Sequence, residues 1–244
     1  MGTGAVGVAG TDGAQRGSQR APRGRPARRR GGTGRKLFAF DRRLGTRLIA
    51  GADEAGRGSL AGPLVAAAVL FDYGRLGPRQ VRLLGALNDS KQHTHEAREA
   101  LFPLVLRTAA RVYVVSRCVR TVDGRGLHRT NLAALREALE GVTAQEPDEV
   151  LCLVDGFSVG DLGRPQQAVV DGDARSAAIA AASIVAKVTR DRYMHRAEER
   201  HPGWGFAEHV GYSTPEHREA IIAKGVSPLH RMSFQSLAYQ QLAL

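Results

Sequence analysis

From residue 47 onward, short apolar runs alternate with helix-spaced segments, and the runs repeatedly end in a carboxylate. Leu48-Ile49-Ala50-Gly51-Ala52 predicts a strand over about 47–53, closing on Asp53-Glu54 and the glycine-punctuated turn Gly56-Arg57-Gly58. Pro63 to Phe71 predicts a second strand, Arg111 to Ser116 a third, Glu149 to Val154 a fourth ending at Asp155, and residues 167–171 a short fifth. Helices are expected over about 94–109 and 130–140. From Ser176 to about Arg200, the small residues Ala177 to Ala182 and the spacing of Ile179, Ile184, Val188 and Met194 predict a long helix close against the sheet. Helices near 215–224 and 231–242 finish the chain. Paired strands followed by alternating helices and strands indicate a mixed α/β domain.

Residues 1 to 45 break this pattern. They are rich in Gly, Arg, Ala and Pro without apolar periodicity, which predicts a disordered basic tail ahead of one folded domain over 46–244. Charge is concentrated there: residues 1–36 carry +8 of the net +11, leaving +3 on the remaining 208. The tail could tether polyanions through counterion release or be a dispensable leader. Of 35 basic residues 31 are Arg, as biased genome composition would also produce. Cys118 and Cys152 are too few for a disulfide framework and lack zinc-ligand spacing, so a reducing cytoplasm is expected. No run approaches the roughly 18 apolar residues of a membrane span, and no secretory-signal core opens the chain.

Three runs end in acid: Asp53-Glu54, Asp155-Gly156, and Asp171-Gly172-Asp173. Alone, an Asp before Gly is an ordinary turn residue. Together they would set four or five negative charges along one sheet edge, an oxygen-rich cluster suited to Mg²⁺ or Mn²⁺ and to two-metal phosphodiester cleavage. On the long helix, Ser176, Ala180, Ser183, Lys187 and Asp191 share one face. Ser183 and Lys187 could hold a phosphate there; alternatively Lys187 pairs with Asp191 and Ser183 bonds back to its own helix. Trp204 and Phe206 read as loop anchors, and His209, His217 and His230 as surface or capping residues near polar helix ends, with His209 also a candidate for the edge of a site.

With Gly51-Ala52-Asp53-Glu54-Ala55-Gly56-Arg57-Gly58, Asn88-Asp89-Ser90-Lys91, Val154-Asp155-Gly156, Gly172-Asp173, Ala181 to Val188 and Gly211-Tyr212-Ser213-Thr214 in that order, the chain resembles bacterial ribonuclease HII over about residues 47–236. The resemblance implies a ribonuclease H-like fold, a mixed central sheet flanked by helices with a small helical C-terminal part. It implies a metal-dependent endonuclease using Mn²⁺ or Mg²⁺ on RNA-DNA hybrids, which also incises 5′ of single ribonucleotides in duplex DNA and leaves 3′-hydroxyl and 5′-phosphate ends. Ribonucleotide and primer removal would be its roles. Asp53, Glu54, Asp155 and Asp173 become catalytic metal ligands; Gly56, Arg57 and Gly58 the loop sensing the ribose 2′-hydroxyl; Tyr212 the ring on the following sugar; and Lys91, Ser183 and Lys187 phosphate contacts. A monomer is expected, and the residues do not specify whether a replication clamp binds.

Two positions depart from that pattern: Asp171 and Val210 stand where relatives usually carry lysine. A ribonuclease HIII-like hybrid nuclease and a catalytically inactive nucleic-acid-binding relative are the competing readings.

Overall fold

The computed structural model describes residues 33–88, 93–146, 149–234 and 239. The chain divides into residues 1–30 and residues 31–244, and every described residue lies in the second unit. Its centre is a five-stranded sheet built from β1 (Leu48–Ala55), β2 (Leu64–Asp72), β3 (Arg111–Arg117), β4 (Val150–Asp155) and β5 (Gln166–Val169), in the order β3-β2-β1-β4-β5. β3, β2 and β1 are antiparallel neighbours; β4 and β5 extend the sheet in parallel with β1.

Strand alternation divides the core in two. Ile49 of β1 and Val65, Val69 and Phe71 of β2 face α6 (Ala177–Arg200). Leu48, Ala50 and Ala52 with Ala66, Ala68 and Leu70 face Leu135, Ala138 and Leu139 of α5 (Leu127–Thr143). The small residues of α6 let it approach the sheet closely, and Gly51 completes the fit: a Cβ there would lie 2.2 Å from the Ala178 carbonyl carbon. Ser176 caps α6, accepting from the Ile179 N–H at 3.3 Å.

The expected strands and the helices α3 (His95–Thr108), α5, α6 and α8 (Pro215–Lys224) all form. Pattern reading missed α2 (Pro78–Leu83), α4 (Val119–Arg125) and α7 (Phe206–His209), each too short to show a helical period. Two expectations are corrected. The tail does not run to residue 45, because Thr33–Arg43 forms α1 and buries Leu37 and Phe38 in the α6-side core. Asp41 of α1 accepts from the Tyr73 hydroxyl at 2.5 Å and the Ala178 N–H at 3.0 Å, joining this helix to the turn that follows β2 and to the start of α6. The helix expected over 231–242 does not begin at 231, since residues 231–234 are non-helical; 235–238 and 240–244 lie outside the described residues.

Candidate active site and metal centre

Asp53 and Glu54 lie where β1 loses its parallel neighbour. Pairing with β4 ends at Ala52↔Val154, whereas pairing with β2 continues to Ala55↔Val65. The strand predicted to close on Asp53-Glu54 therefore continues through both, to Ala55. The two side chains keep opposite orientations, and the sheet edge itself is what opens. Asp53 is on the α6 side, within reach of the Ser183 hydroxyl, and Glu54 is on the α5 side, near the Asn131 amide.

Both nevertheless line one cavity of about 250 Å³, together with Asp155, Asp173, Gly56, Arg57, Gly58, Ser183, Lys187 and Tyr212. Every expected site residue is in it except Lys91, which lies outside the described residues. Asp155 is not the ordinary turn residue its Asp-Gly context suggested. Its Oδ1 accepts from the Gly172 N–H at 2.7 Å, tying the end of β4 to the 3-10 turn Gly172–Ala174 that carries Asp173. Asp173 is buried beside the cavity, while Asp171 is exposed in left-handed backbone at φ 51°.

Burial pushes the Asp53 carboxyl well above the usual aspartate range, and the charges of Glu54 and Asp155 push it further; hydrogen bonds from Ser183 and the Glu54 N–H oppose the shift. Glu54 is also raised, first by burial, with Asn131 and Arg57 pulling the other way. Among the described residues no three His, Cys, Asp or Glu side chains close into a compact ligand cage. The four carboxylates instead flank an open space, an oxygen-only donor set whose mutual repulsion a divalent cation would relieve, so the residues fit Mg²⁺ or Mn²⁺.

Cations rim this acidic floor. Arg57 lies 3.8 Å from Glu54 and over the Phe157 ring at 5.1 Å. Lys187 pairs with Asp191 at 2.9 Å, the second of the two readings considered for it, and it also lines the cavity, its Nζ 5.2 Å from the centre of the Tyr212 ring.

Four contributors were missed from the sequence. Arg98 of α3 lines the cavity and lies 3.8 Å from Asp191. Asn131 of α5 is fully buried, and its amide faces Glu54, where it opposes the rise in that carboxyl's proton affinity. Arg190 is also fully buried, donating to the carbonyls of Pro63, Ala61 and Val210 and to the Ser59 hydroxyl at 2.7–2.9 Å. Arg231 donates to the carbonyls of Gly62 and Arg57. These two arginines hold the Gly-Arg-Gly segment from beneath. Gly56, at φ +84°, is required because a Cβ would sit 1.9 Å from Arg190 Nε, whereas a Cβ at Gly58 would meet open space. Nothing local distinguishes Arg190 or Arg231 from the many other arginines; only an arginine next to Asp191 on the Ser183-Lys187 helix hinted at the first.

Trp204 and Phe206 anchor their loop as expected, Phe206 fully buried and Trp204 Nε1 donating to the Gly225 carbonyl at 3.0 Å. The three histidines are corrected: His209, His217 and His230 are all buried and clustered around Phe206, behind the segment that presents Tyr212. Val210, the second departure, has φ 44°, a strained conformation for a β-branched residue.

The ribonuclease HII family model matches residues 50–237. Ribonuclease HII of Mycobacterium tuberculosis is 49% identical over 186 residues, covering 76% of this chain and 67% of the relative. Among solved structures, ribonuclease H2 from Pyrococcus horikoshii OT3 aligns with TM-score 0.66 and 26% identity, over 80% of this chain and 96% of the other. The RNase HII of a PCNA:RNase HII complex from Archaeoglobus fulgidus aligns with TM-score 0.63 and 27% identity, over 78% and 96%.

Proposed function

The chain belongs to the ribonuclease HII family, hydrolases that cut the RNA strand of RNA-DNA hybrids, and from that premise we propose that it also incises duplex DNA 5′ of a single embedded ribonucleotide, leaving 3′-hydroxyl and 5′-phosphate ends. The observation that carries this reading is the convergence of four carboxylates, the Gly-Arg-Gly turn and Tyr212 on one cavity.

Asp53, Glu54, Asp155 and Asp173 would hold the metal. Bound there, Mg²⁺ or Mn²⁺ supplies Lewis-acid charge that activates water and stabilises the departing oxygen. The rest falls to the chain's own groups. The open space above Gly58 lets a sugar approach the backbone closely, so main-chain groups of the turn can meet a 2′-hydroxyl, the one group that separates ribose from deoxyribose. Arg57, held toward Glu54, faces the phosphate next to that sugar. Ser183 and Lys187 offer a hydroxyl and an ammonium to backbone phosphates, and the half-buried Tyr212 ring presents a flat face to the following sugar. Arg190 and Arg231 keep the turn in place without touching substrate.

The test is cleavage of a DNA duplex carrying one ribonucleotide beside an all-DNA control, with Mg²⁺ and with Mn²⁺, by wild type and Asp155→Asn. Wild type should cut only the first and the variant neither. Cutting of the control would contradict 2′-hydroxyl sensing. Efficient cutting of long hybrids alone would favour the ribonuclease HIII-like reading. A replication clamp as partner is an extension of the same reading, prompted by the Archaeoglobus fulgidus complex with PCNA.

A further inference from the structure

Behind Tyr212 lie three buried histidines that the chemistry above leaves unused. The rings of His209 and His217 stack at 4.1 Å, and those of His217 and His230 are 5.2 Å apart. Their hydrogen bonds dictate where each proton sits. The Gly211 N–H donates to His209 Nδ1 at 3.1 Å, so His209 carries its proton on Nε2, which donates to the Trp204 carbonyl at 2.6 Å. His230 Nδ1 lies 2.8 Å from the Ser227 N–H and 2.9 Å from the Ser227 hydroxyl, both able to donate, and 3.4 Å from the Ser227 carbonyl; the two nearer donors make Nδ1 the acceptor and leave the His230 proton on Nε2. His217 Nδ1 faces the Tyr212 carbonyl at 2.9 Å; a carbonyl only accepts, so the proton of His217 is on Nδ1 and its Nε2 is a lone pair. The 3.1 Å contact between His230 Nε2 and His217 Nε2 is then a donor meeting an acceptor.

One directed chain results, from the Ser227 N–H through His230 and His217 to the Tyr212 carbonyl, with His209 holding the adjacent Gly211 N–H. The backbone it grips is not self-supporting. Val210, at φ 44°, holds a left-handed conformation that a β-branched residue keeps only where its surroundings impose it, and Gly211 follows at φ 83°. We propose that His217 and His230 are positioning residues for Tyr212, clamping its carbonyl through a fixed order of tautomers and thereby setting the ring against the cavity where the sugar after a ribonucleotide would lie. This rests on the reading of Tyr212 as the side chain that meets that sugar.

His217→Phe keeps a ring in the stack but can neither donate nor accept; His217→Asn keeps a donor near the Nδ1 position. The measured quantity is kcat/KM on a duplex with one ribonucleotide relative to a long RNA-DNA hybrid. His217→Phe should lower that ratio about tenfold, the scale of one lost positioning hydrogen bond, and His217→Asn should restore most of it. Nitrogen-15 spectra of the wild-type imidazoles should show His217 protonated on Nδ1 and His209 and His230 on Nε2.

An unchanged ratio in folded His217→Phe, where Tyr212→Ala does change it, would overturn the proposal, as would finding His217 protonated on Nε2. Should His217→Phe not fold, His217→Asn and the wild-type spectra decide: loss of the ratio in His217→Asn despite its retained donor counts against the clamp. A ratio indifferent to Tyr212→Ala would remove the reading of Tyr212, and this inference with it.

Discussion

Asp53 is buried between Glu54 and Asp155, and burial first, then those neighbouring charges, raise its proton affinity. A carboxyl whose folded-state pKa lies above its unfolded value stabilises the fold at low pH, and that contribution is lost as pH rises. At pH 8 without metal, Asp53→Asn should therefore raise the melting temperature while abolishing cleavage. A calorimetric scan that showed no gain in the chelated variant would mean that the repulsion is relieved some other way. The glycines of the neighbouring turn separate in the same manner. Gly56→Ala places a methyl against Arg190 in left-handed backbone and should cost roughly 2–4 kcal/mol in urea unfolding. Gly58→Ala should change stability by no more than about 1 kcal/mol, yet lose cleavage at a single ribonucleotide. The Gly-Arg-Gly motif was legible in the sequence, but the reason for its first glycine was not, because Arg190 lies far along the chain.

α1 shows what periodicity cannot reveal at the scale of an element. Its apolar residues follow a glycine- and arginine-rich stretch, so the segment read as more tail, and only its docking beneath α6 shows Leu37 and Phe38 to be core. Its Asp41 is pushed up to about 6 from 3.8, chiefly by burial and against hydrogen bonds from Tyr73 and Ser176. The associated stability is complete below about pH 4 and disappears as pH rises through 6. Relative to Asp41→Asn, wild type should lose on the order of 2–3 kcal/mol between pH 3.5 and 7.5, measured by urea unfolding at both. A pH-independent difference would show that folding leaves the proton affinity of Asp41 unshifted. By contrast, α6 was legible nearly end to end, since a long helix of small residues must pack close wherever it lies. That its fourteenth residue is a buried cation holding four oxygen atoms was not.

For the whole molecule, we propose that residues 1–32, with seven arginines and one aspartate, act as a separable basic tether. Deleting them should leave kcat and melting temperature unchanged, weaken hybrid binding at low salt, and flatten its salt dependence by roughly 0.9 for each phosphate the tail neutralises. Extending the deletion to residue 45 should instead destabilise the fold by several kcal/mol, because it removes buried side chains of α1. A tether without function would leave the salt slope untouched. By itself the sequence determined the α/β class, the five strands, the long helix and the acidic residues at the ends of the apolar runs. These follow from periodicity and turn chemistry, which act between neighbours in the chain. Only the tertiary structure decided that Asp53 and Glu54 reach one space from opposite faces of the sheet, that the Gly172 N–H ties Asp155 to the turn carrying Asp173, and that Arg190, Arg231 and three histidines pack behind the turn and Tyr212. Those outcomes depend on which distant groups are buried together, and burial is a property of the packed chain, not of any local stretch of it.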